Sequence, residues 1–305
     1  MSPTTVDSPA ETPGGEQPPA SVREHLDVLD ATNQNEAPAI DHIVEMTNVN
    51  KCFVDGRKGE RVEVLKDFAF SIEPEAAGSF VVLLGPSGCG KSTVLGLLSG
   101  LSLADSGEVK IFGELVTGPS PHSATVLQAY TCFPWLTVVE NVEFGLMLVG
   151  TKKSERRERA MEYLRKVDLV DRHQAYPKQL SGGMQQRVAI ARTLAIKPPI
   201  VLMDEPFGAL DAQTRSEMQQ MVLELWDEEK NTIVFVTHDI SEALLLGDRV
   251  IVFPSRPIFG NDFYEKRNLD QILGHKRPPE LTRRADFIDL CEELRQRLRK
   301  PAKRA

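Results

Sequence analysis

The sequence predicts an α/β fold with a largely parallel sheet, and three observations lead to this prediction. Short apolar segments of strand length alternate along the chain with longer segments of helical character. The segment 80–84 (FVVLL) contains no polar residue, which is typical of a strand buried on both faces of a parallel sheet. The 305 residues are 41% hydrophobic and 26% charged, as expected for a chain with a sizeable core.

The elements follow from the same patterns. Strands alternate polar and apolar residues or are wholly apolar, and they are predicted at 43–49, 68–72, 80–84, 108–112, 124–127, 200–203, 232–237 and 249–253. Helices are predicted at 92–101, 155–167, 184–195, 212–229, 241–246 and 280–299. The stretch 258–279 has no regular pattern and is expected to lie as an irregular strap over the surface.

Composition and charge exclude several classes of protein. The formal net charge of −8 argues against nucleic acid as the main partner, and no run reaches the roughly 18 apolar residues that span a bilayer. The N-terminus has no secretory pattern, and the four cysteines have no metal-binding or redox spacing. We therefore expect a cytosolic protein with free thiols.

Both ends of the chain differ from the middle. Residues 1–40 hold seven acids, one arginine and six prolines, so we expect a mostly disordered acidic tail, with a short helix at 21–29 as an alternative. The last twelve residues hold six basic residues and no acid. We interpret them as a solvated helix end, with an anionic membrane surface as the alternative.

Residues 85–92 (GPSGCGKS) match the pattern G-x-x-x-x-G-K-[ST] between a predicted strand and a predicted helix. Glycines let the backbone N–H groups turn inward toward phosphate oxygens, and the start of the helix favours an anion. Lys91 would reach the β- and γ-phosphates, and the hydroxyl of Ser92 would ligate Mg²⁺. The candidate ATP-binding residues here are Gly85, Pro86, Ser87, Gly88, Cys89, Gly90, Lys91, Ser92 and Thr93. A chance glycine-rich turn is the plain alternative.

Two acids, Asp204 and Glu205, follow the apolar strand predicted at 200–203. Strand ends of a parallel sheet share one edge with the ligand crevice, so these acids are expected beside residues 85–92. Asp204 would hold Mg²⁺ and Glu205 would polarise an attacking water. Taken alone, an apolar run that ends in two acids is common and is weak evidence for a catalytic or metal site, and an ordinary strand end is the plain alternative.

Residues 180–187 (LSGGMQQR) resemble the signature of ATP-binding-cassette ATPases, although a plain helix N-cap would also explain Ser181 and the glycines. Other positions match this family in order: Gln128 the glutamine loop, Asp211 the D-loop and His238 the switch histidine. Phe53 matches the aromatic residue that stacks on adenine, with a plain core role as its alternative. The resemblance covers residues 43–255.

The resemblance implies a P-loop ATPase cassette with ATP and Mg²⁺ as its cofactors. Its fold is a RecA-like parallel-sheet core with an N-terminal antiparallel β region and an α-helical signature subdomain. The implied domains are the tail at 1–40, the ATPase at 41–255 with its helical subdomain at about 129–195, and a C-terminal extension with a basic helix at 256–305.

The resemblance also implies roles for these residues. Glu205 is the general base, with His238 and Gln128 as the other catalytic residues. Two cassettes pair head to tail, as a homodimer or with a related subunit. The nucleotide of one cassette then contacts the signature of the other, which consists of Ser181, Gly182, Gly183 and Gln185, and Asp211 belongs to the D-loop. Mg²⁺ is held by Ser92, Gln128 and Asp204.

Residues 128–141 (QAYTCFPWLTVVEN) are unusually apolar for a loop. Their sequence resembles the corresponding segment in the ATPases of nitrate, sulfonate, taurine and bicarbonate importers. This implies a peripheral subunit on the cytoplasmic face of the membrane, with permease subunits docking between Tyr130 and Leu136. A periplasmic or extracellular solute-binding protein would act indirectly, and no nucleic acid is implied.

Several alternatives remain open at this point. The apolar loop could instead cover its own helical subdomain. The chain could be a soluble cassette ATPase that acts in translation or DNA repair or, more remotely, an unrelated P-loop kinase. The transported solute is not readable from these residues, since the cassette does not touch its cargo.

Overall fold

The structure is a computed structural model that describes residues 41–54, 59–75, 78–129, 131–253, 258–260, 263–274 and 277–299. These residues belong to one compact unit. The predicted acidic tail lies outside the described residues, as do Tyr130 and the three basic residues Lys300, Lys303 and Arg304. No helix of the described residues combines the length and apolar character needed to cross a membrane.

The described strands and helices, in chain order, have the following bounds. The strands are β1 (Val44–Val54), β2 (Arg61–Ile72), β3 (Phe80–Leu84), β4 (Ser106–Ile111), β5 (Glu114–Leu115), β6 (Ser123–Val126), β7 (Ile200–Asp204), β8 (Thr232–Thr237), β9 (Arg249–Val252), β10 (Ile258–Phe259) and β11 (Tyr264–Lys266). The helices are α1 (Lys91–Leu98), α2 (Val138–Leu148), α3 (Lys153–Lys166), α4 (Gly182–Ala195), α5 (Ala212–Glu229), α6 (Ile240–Leu246), α7 (Leu269–Leu273) and α8 (Ala285–Arg299).

The strands form two sheets. The first has the order β10-β2-β1-β4-β5 and is antiparallel except for the parallel pair β10 and β2. The second has the order β11-β9-β3-β8-β7-β6 and is parallel except for β11, which pairs antiparallel with β9. The predicted α/β class, with a parallel core and an antiparallel region, is confirmed.

Strand β3 separates two hydrophobic cores. Phe80, Val82 and Leu84 pack in the core shared with the helices α2 to α6. Val81 and Leu83 pack in the core shared with β1, β2 and α1. All five side chains are fully buried, which explains why this strand has no polar position.

The loop after Gln128 ends earlier than the predicted stretch 128–141. Helix α2 begins at Val138, so interpreting the stretch as a loop through Asn141 was wrong at its end. Thr137 caps this helix: its hydroxyl accepts from the backbone N–H of Glu140 at 3.4 Å, and the Glu140 carboxylate accepts from the Thr137 N–H at 2.7 Å. This reciprocal pair is a capping box, and it starts a helix that packs against α3 and α4.

The C-terminal part is more ordered than predicted. The interpretation of 258–279 as irregular was wrong, because its described residues contain β10, β11 and α7. The predicted helix at 280–299 is divided into a 3₁₀ turn at Pro279–Arg283 and helix α8, which packs against α6. Arg277 is buried and donates to the carbonyl of Leu244 at 3.1 Å and to Asp248 at 3.0 Å, which fastens this segment beside the end of α6.

Candidate active site

The phosphate-binding loop predicted at residues 85–92 lies between β3 and α1. Gly88 and Gly90 have φ angles of 80° and 115°, which glycine adopts readily. A Cβ at Gly85 would lie 2.8 Å from the carbonyl oxygen of Phe253, so this position has no room for a side chain. Lys91 is only 3% exposed, and its ammonium donates to the carbonyls of Gly85 at 2.7 Å and Pro86 at 3.0 Å. The loop therefore folds around a single fixed positive charge, which fits an anionic phosphate group.

Ser92 and Asp204 meet across the sheet. The hydroxyl of Ser92, at the start of α1, donates to Oδ1 of Asp204, at the end of β7, over 3.0 Å. Burial raises the pKa of Asp204, and the charge of Glu205 adds to the rise, whereas Ser92 and Lys91 oppose it. A hydroxyl and a carboxylate are hard oxygen ligands, so this pair fits Mg²⁺ chemically.

The third predicted ligand, Gln128, follows β6 at the same edge of the sheet. A Cβ at Gly208 would lie 3.7 Å from Nε2 of Gln128 and 3.8 Å from Oε2 of Glu205. The structure thus places the Gln128 amide near Gly208 and Glu205, and the hydrogen bond between Ser92 and Asp204 does not include it. Gln128 is exposed, which leaves its amide free to approach a ligand.

Glu205 and His238 form a pair beside this edge. Nδ1 of His238 lies 3.1 Å from Oε2 of Glu205, and because a carboxylate only accepts, this hydrogen bond requires the proton on Nδ1. Glu205 has a φ of 42°, a left-handed conformation that costs about 1–3 kcal/mol in a residue other than glycine. Its backbone N–H still donates to Val236 at 3.1 Å, so the turn away from β7 begins directly after Asp204.

The predicted signature residues lie at the start of α4. Ser181 is the exposed N-cap, and its hydroxyl accepts from the N–H of Met184 at 3.3 Å. Gly182 is the first residue of the helix. Gln185 donates to the carbonyls of Pro177 at 3.2 Å and Leu180 at 3.4 Å, so its side chain is engaged within its own chain. Of this set, Ser181 presents the most accessible polar group.

Asp211 and the signature are connected through Thr214, a residue that no sequence motif singled out. Asp211 caps α5 by accepting from the N–H groups of Gln213 and Thr214, and also from the Thr214 hydroxyl at 2.7 Å. These hydrogen bonds lower the pKa of Asp211, with the Thr214 N–H as the largest cause. A Cβ at Gly183 would lie 2.7 Å from Cγ2 of Thr214, so the two helix starts touch at this glycine.

Phe53 lies near the end of β1 and is 45% exposed, so the alternative of a plain core residue is wrong. Its described ring contact is with Lys51, whose ammonium lies 5.4 Å from the ring centroid. An exposed aromatic face is compatible with stacking on a base.

An apolar patch lies beyond Gln128. Phe133 packs against Phe144 of α2 and against Trp135, with ring centroids 4.6 and 5.6 Å apart, and Trp135 remains 70% exposed. Phe133 is therefore half covered by its own helical region, whereas Trp135 is not. Leu148, at the end of α2, is exposed as well. Phe144 and Leu148 were missed because the start of α2 was not predicted, although the capping pair Thr137 and Glu140 was its signal.

Comparison with known proteins identifies the family of the chain. Residues 65–208 match the family model described as ABC transporter. The chain is 42% identical over 257 residues to the nitrate import ATP-binding protein of Synechocystis, covering 84% of this chain and 95% of that protein. The chain therefore belongs to the ABC transporter family, and it is an ATPase cassette of that family.

Two further relatives are informative. An aliphatic sulfonates import ATP-binding protein of Bacillus cereus is 43% identical over 214 residues, covering 70% of this chain and 82% of that protein. A dimeric ATP-binding cassette solved in a post-hydrolysis state with ADP and Pi has a TM-score of 0.62 and 35% identity, covering 73% of this chain and 98% of its own.

We expect Gly183→Ala to destabilise the chain by about 1–3 kcal/mol, because the added methyl group meets a side chain that is held in place by Asp211. Adding Thr214→Ser removes the opposing methyl group, keeps the hydroxyl and should restore most of the loss. The measurement is thermal unfolding of both variants, with Gly118→Ala as the control, since nothing lies within 4 Å of a Cβ at that glycine. A double variant as unstable as Gly183→Ala would contradict this packing.

Proposed function

We propose that this chain is the ATP-hydrolysing subunit of an importer for a small anion or sulfonate-type solute. The observation that carries the proposal is the meeting of Ser92 with Asp204 and of Glu205 with His238 at one edge of the parallel sheet. The names of the nitrate and sulfonate relatives support the solute class. The alternative of a soluble ATPase in translation or DNA repair is not favoured by these relatives.

The predicted site residues divide the binding of ATP between them. Lys91 and the loop at 85–93 bind the phosphates, and the exposed ring of Phe53 stacks on the adenine. Ser92, Asp204 and Gln128 would hold Mg²⁺, which supplies charge neutralisation at the β- and γ-phosphates when bound.

Hydrolysis then depends on Glu205. Its carboxylate accepts a proton from the attacking water, and His238 holds that carboxylate in place through the 3.1 Å hydrogen bond. His238 is half exposed and also stabilises the charge that develops on the transferred phosphoryl group. The left-handed turn at Glu205 directs the acid out of the strand, and we propose that this strain serves that purpose.

A second cassette completes the site. We propose a head-to-tail pair, in which Ser181, Gly182 and Gly183 of one copy face the nucleotide of the other, with Gln185 supporting them. Asp211 adjoins this surface through Thr214. The likeness to a dimeric cassette solved with ADP and Pi supports this arrangement. Loss of the γ-phosphate on hydrolysis removes contacts between the copies and weakens the pair.

Permease subunits dock between Tyr130 and Leu136, where Phe133 and Trp135 form an apolar patch together with Phe144 and Leu148 of α2. Contiguous exposed apolar patches mark interaction sites, and tryptophan is enriched among the residues that dominate binding at such sites. The chain then lies peripherally on the cytoplasmic face of the membrane, and a solute-binding protein acts through the permease. The proposed division of the chain is a tail at 1–40, the cassette at 41–255 with its helical subdomain at 129–195, and an extension at 256–305.

Replacing Glu205 separates binding from turnover. We expect Glu205→Gln to lower kcat about 10²- to 10⁴-fold, because an amide cannot accept the proton of water. ATP affinity should persist, since the loop around Lys91 is unchanged. The measurements are steady-state ATPase rates and equilibrium nucleotide binding, with Glu224→Gln on the exposed face of α5 as the control. Wild-type turnover in Glu205→Gln would remove Glu205 from its role.

Replacing Trp135 tests the docking patch. We expect Trp135→Ala to weaken binding to the permease about tenfold or more, because central exposed tryptophans dominate interfaces. Transport should fall more than the ATPase rate of the isolated chain. Solute uptake and co-purification with the permease measure this, with Ile288→Ala as a matched exposed apolar control on α8. Equal preservation of uptake and ATPase activity would contradict docking at this patch.

A further inference from the structure

Arg192 makes contacts that none of the sequence motifs explains. It lies on α4, the helix that begins at the signature, and its guanidinium reaches the segment that follows Gln128. Nη1 donates to the carbonyl of Thr131 at 2.9 Å, and Nη2 donates to the hydroxyl of Thr131 at 2.7 Å. Thr131 is three residues after Gln128, so this forked contact holds the loop close to its functional residue.

The next two residues of the loop are fastened to the same helix. The thiol of Cys132 donates to the carbonyl of Gln185 at 3.3 Å. The ring of Phe133 lies 5.0 Å from the guanidinium carbon of Arg192, which is cation–π distance. Three consecutive loop residues therefore contact α4, and two of these contacts use Arg192.

Arg192 is packed closely against α2, and its guanidinium is hydrogen-bonded to Thr131 in the loop after Gln128. A Cβ at Gly145 of α2 would lie 3.1 Å from the carbonyl oxygen of Arg192 and 3.3 Å from its Cγ, so α2 and α4 cross closely here. Burial lowers the pKa of Arg192. Among the described residues, its hydrogen-bond partners are the two neutral oxygens of Thr131. A guanidinium held in this way fixes the loop in a defined place relative to the helix.

We infer that Arg192 is a positioning residue that joins the Gln128 loop to the signature helix. Through its two hydrogen bonds to Thr131, Arg192 then fixes where Gln128 lies relative to α4. The ring of Phe133, between Arg192 and Trp135, connects the same arginine with the docking patch. This inference rests on the proposed function, because it assigns Arg192 an action through Gln128.

A double-mutant cycle tests it on the full chain. Arg192→Lys keeps the charge and the aliphatic stem, but a compact ammonium cannot bond both oxygens of Thr131 with the same geometry. We expect this change to lower kcat on the order of tenfold, because a small displacement of a catalytic group has effects of this size. KM for ATP should stay within about twofold, since Lys91 and its loop are unchanged. In a Gln128→Ala chain, the same change should cost less than about twofold.

One normalisation and two further variants separate a positioning role of Arg192 from a loss of structure. Rates are divided by the number of nucleotide-binding sites, so that unfolded chain does not count as slow enzyme. Arg192→Ala is measured beside Arg192→Lys. Arg157→Ala, which removes a half-exposed arginine of α3 that pairs with Glu143, is the matched control and should leave kcat unchanged.

The outcomes decide the inference. The inference is supported if the losses of kcat caused by Arg192→Lys and by Gln128→Ala do not multiply in the double variant. Losses that multiply in the cycle overturn it, as does unchanged turnover in Gln128→Ala, because Arg192 then has no residue to act through. The proposed function is tested separately by Glu205→Gln, which does not involve Arg192. Intact turnover in that variant contradicts the assignment of the site, whereas multiplied losses in the cycle contradict only the role of Arg192.

Discussion

The geometry of the site depends on the parallel register of β3, β8 and β7, and within it a hydrogen bond from Ser92 to Asp204 joins residues that are 112 positions apart in the chain. It fixes the start of α1 against the end of β7. The parallel register makes this meeting possible, because Leu84 lies opposite Thr237, and Asp204 lies opposite Val236. The N–H of Gly85 also donates to the carbonyl of Thr237 at 3.3 Å, so the phosphate loop is attached to β8 at the same edge. A shift of one strand by one residue would separate all these groups.

A second set of contacts joins this edge to the helical region. Gly183 allows the start of α4 to touch Thr214, whose hydroxyl is held by Asp211. Arg192, further along α4, holds the loop that leads away from Gln128. Helix α4 therefore contacts Thr214, beside the proposed D-loop, at its beginning and the loop after Gln128 near its end. A displacement of this helix would shift both segments, as the proposed head-to-tail pairing requires.

Much of the fold could be predicted from local patterns. The wholly apolar strand β3, the alternation in β2 and the glycine loop are visible in the sequence because each is short and has a distinctive composition. Strand β11 was missed because its three residues are half-buried at the edge of the sheet and show no apolar alternation. Helix α2 was missed because the aromatic residues before it have no helical spacing, and the local signal for its start is the capping pair Thr137 and Glu140.

Parts of the candidate site were also beyond prediction. Motifs placed Asp204, Glu205 and His238 at strand ends, where the parallel sheet rule applies. The contacts of Thr214 and Arg192 join segments 31 and 61 residues apart, and no local pattern records them. Gln185 was assigned to the partner-facing surface, yet its amide bonds to carbonyls of its own chain, and only the path of the turn before α4 reveals this.

The central claim is that each ATP site combines the phosphate loop of one copy with the signature of another. Mixing two inactive variants, Lys91→Ala and Ser181→Arg, tests it most directly. In a head-to-tail pair of the two, one site unites the intact Lys91 of one copy with the intact Ser181 of the other, so ATPase activity should recover on mixing. If each chain forms its site alone, the mixture will stay as inactive as the separate variants, and the account is contradicted.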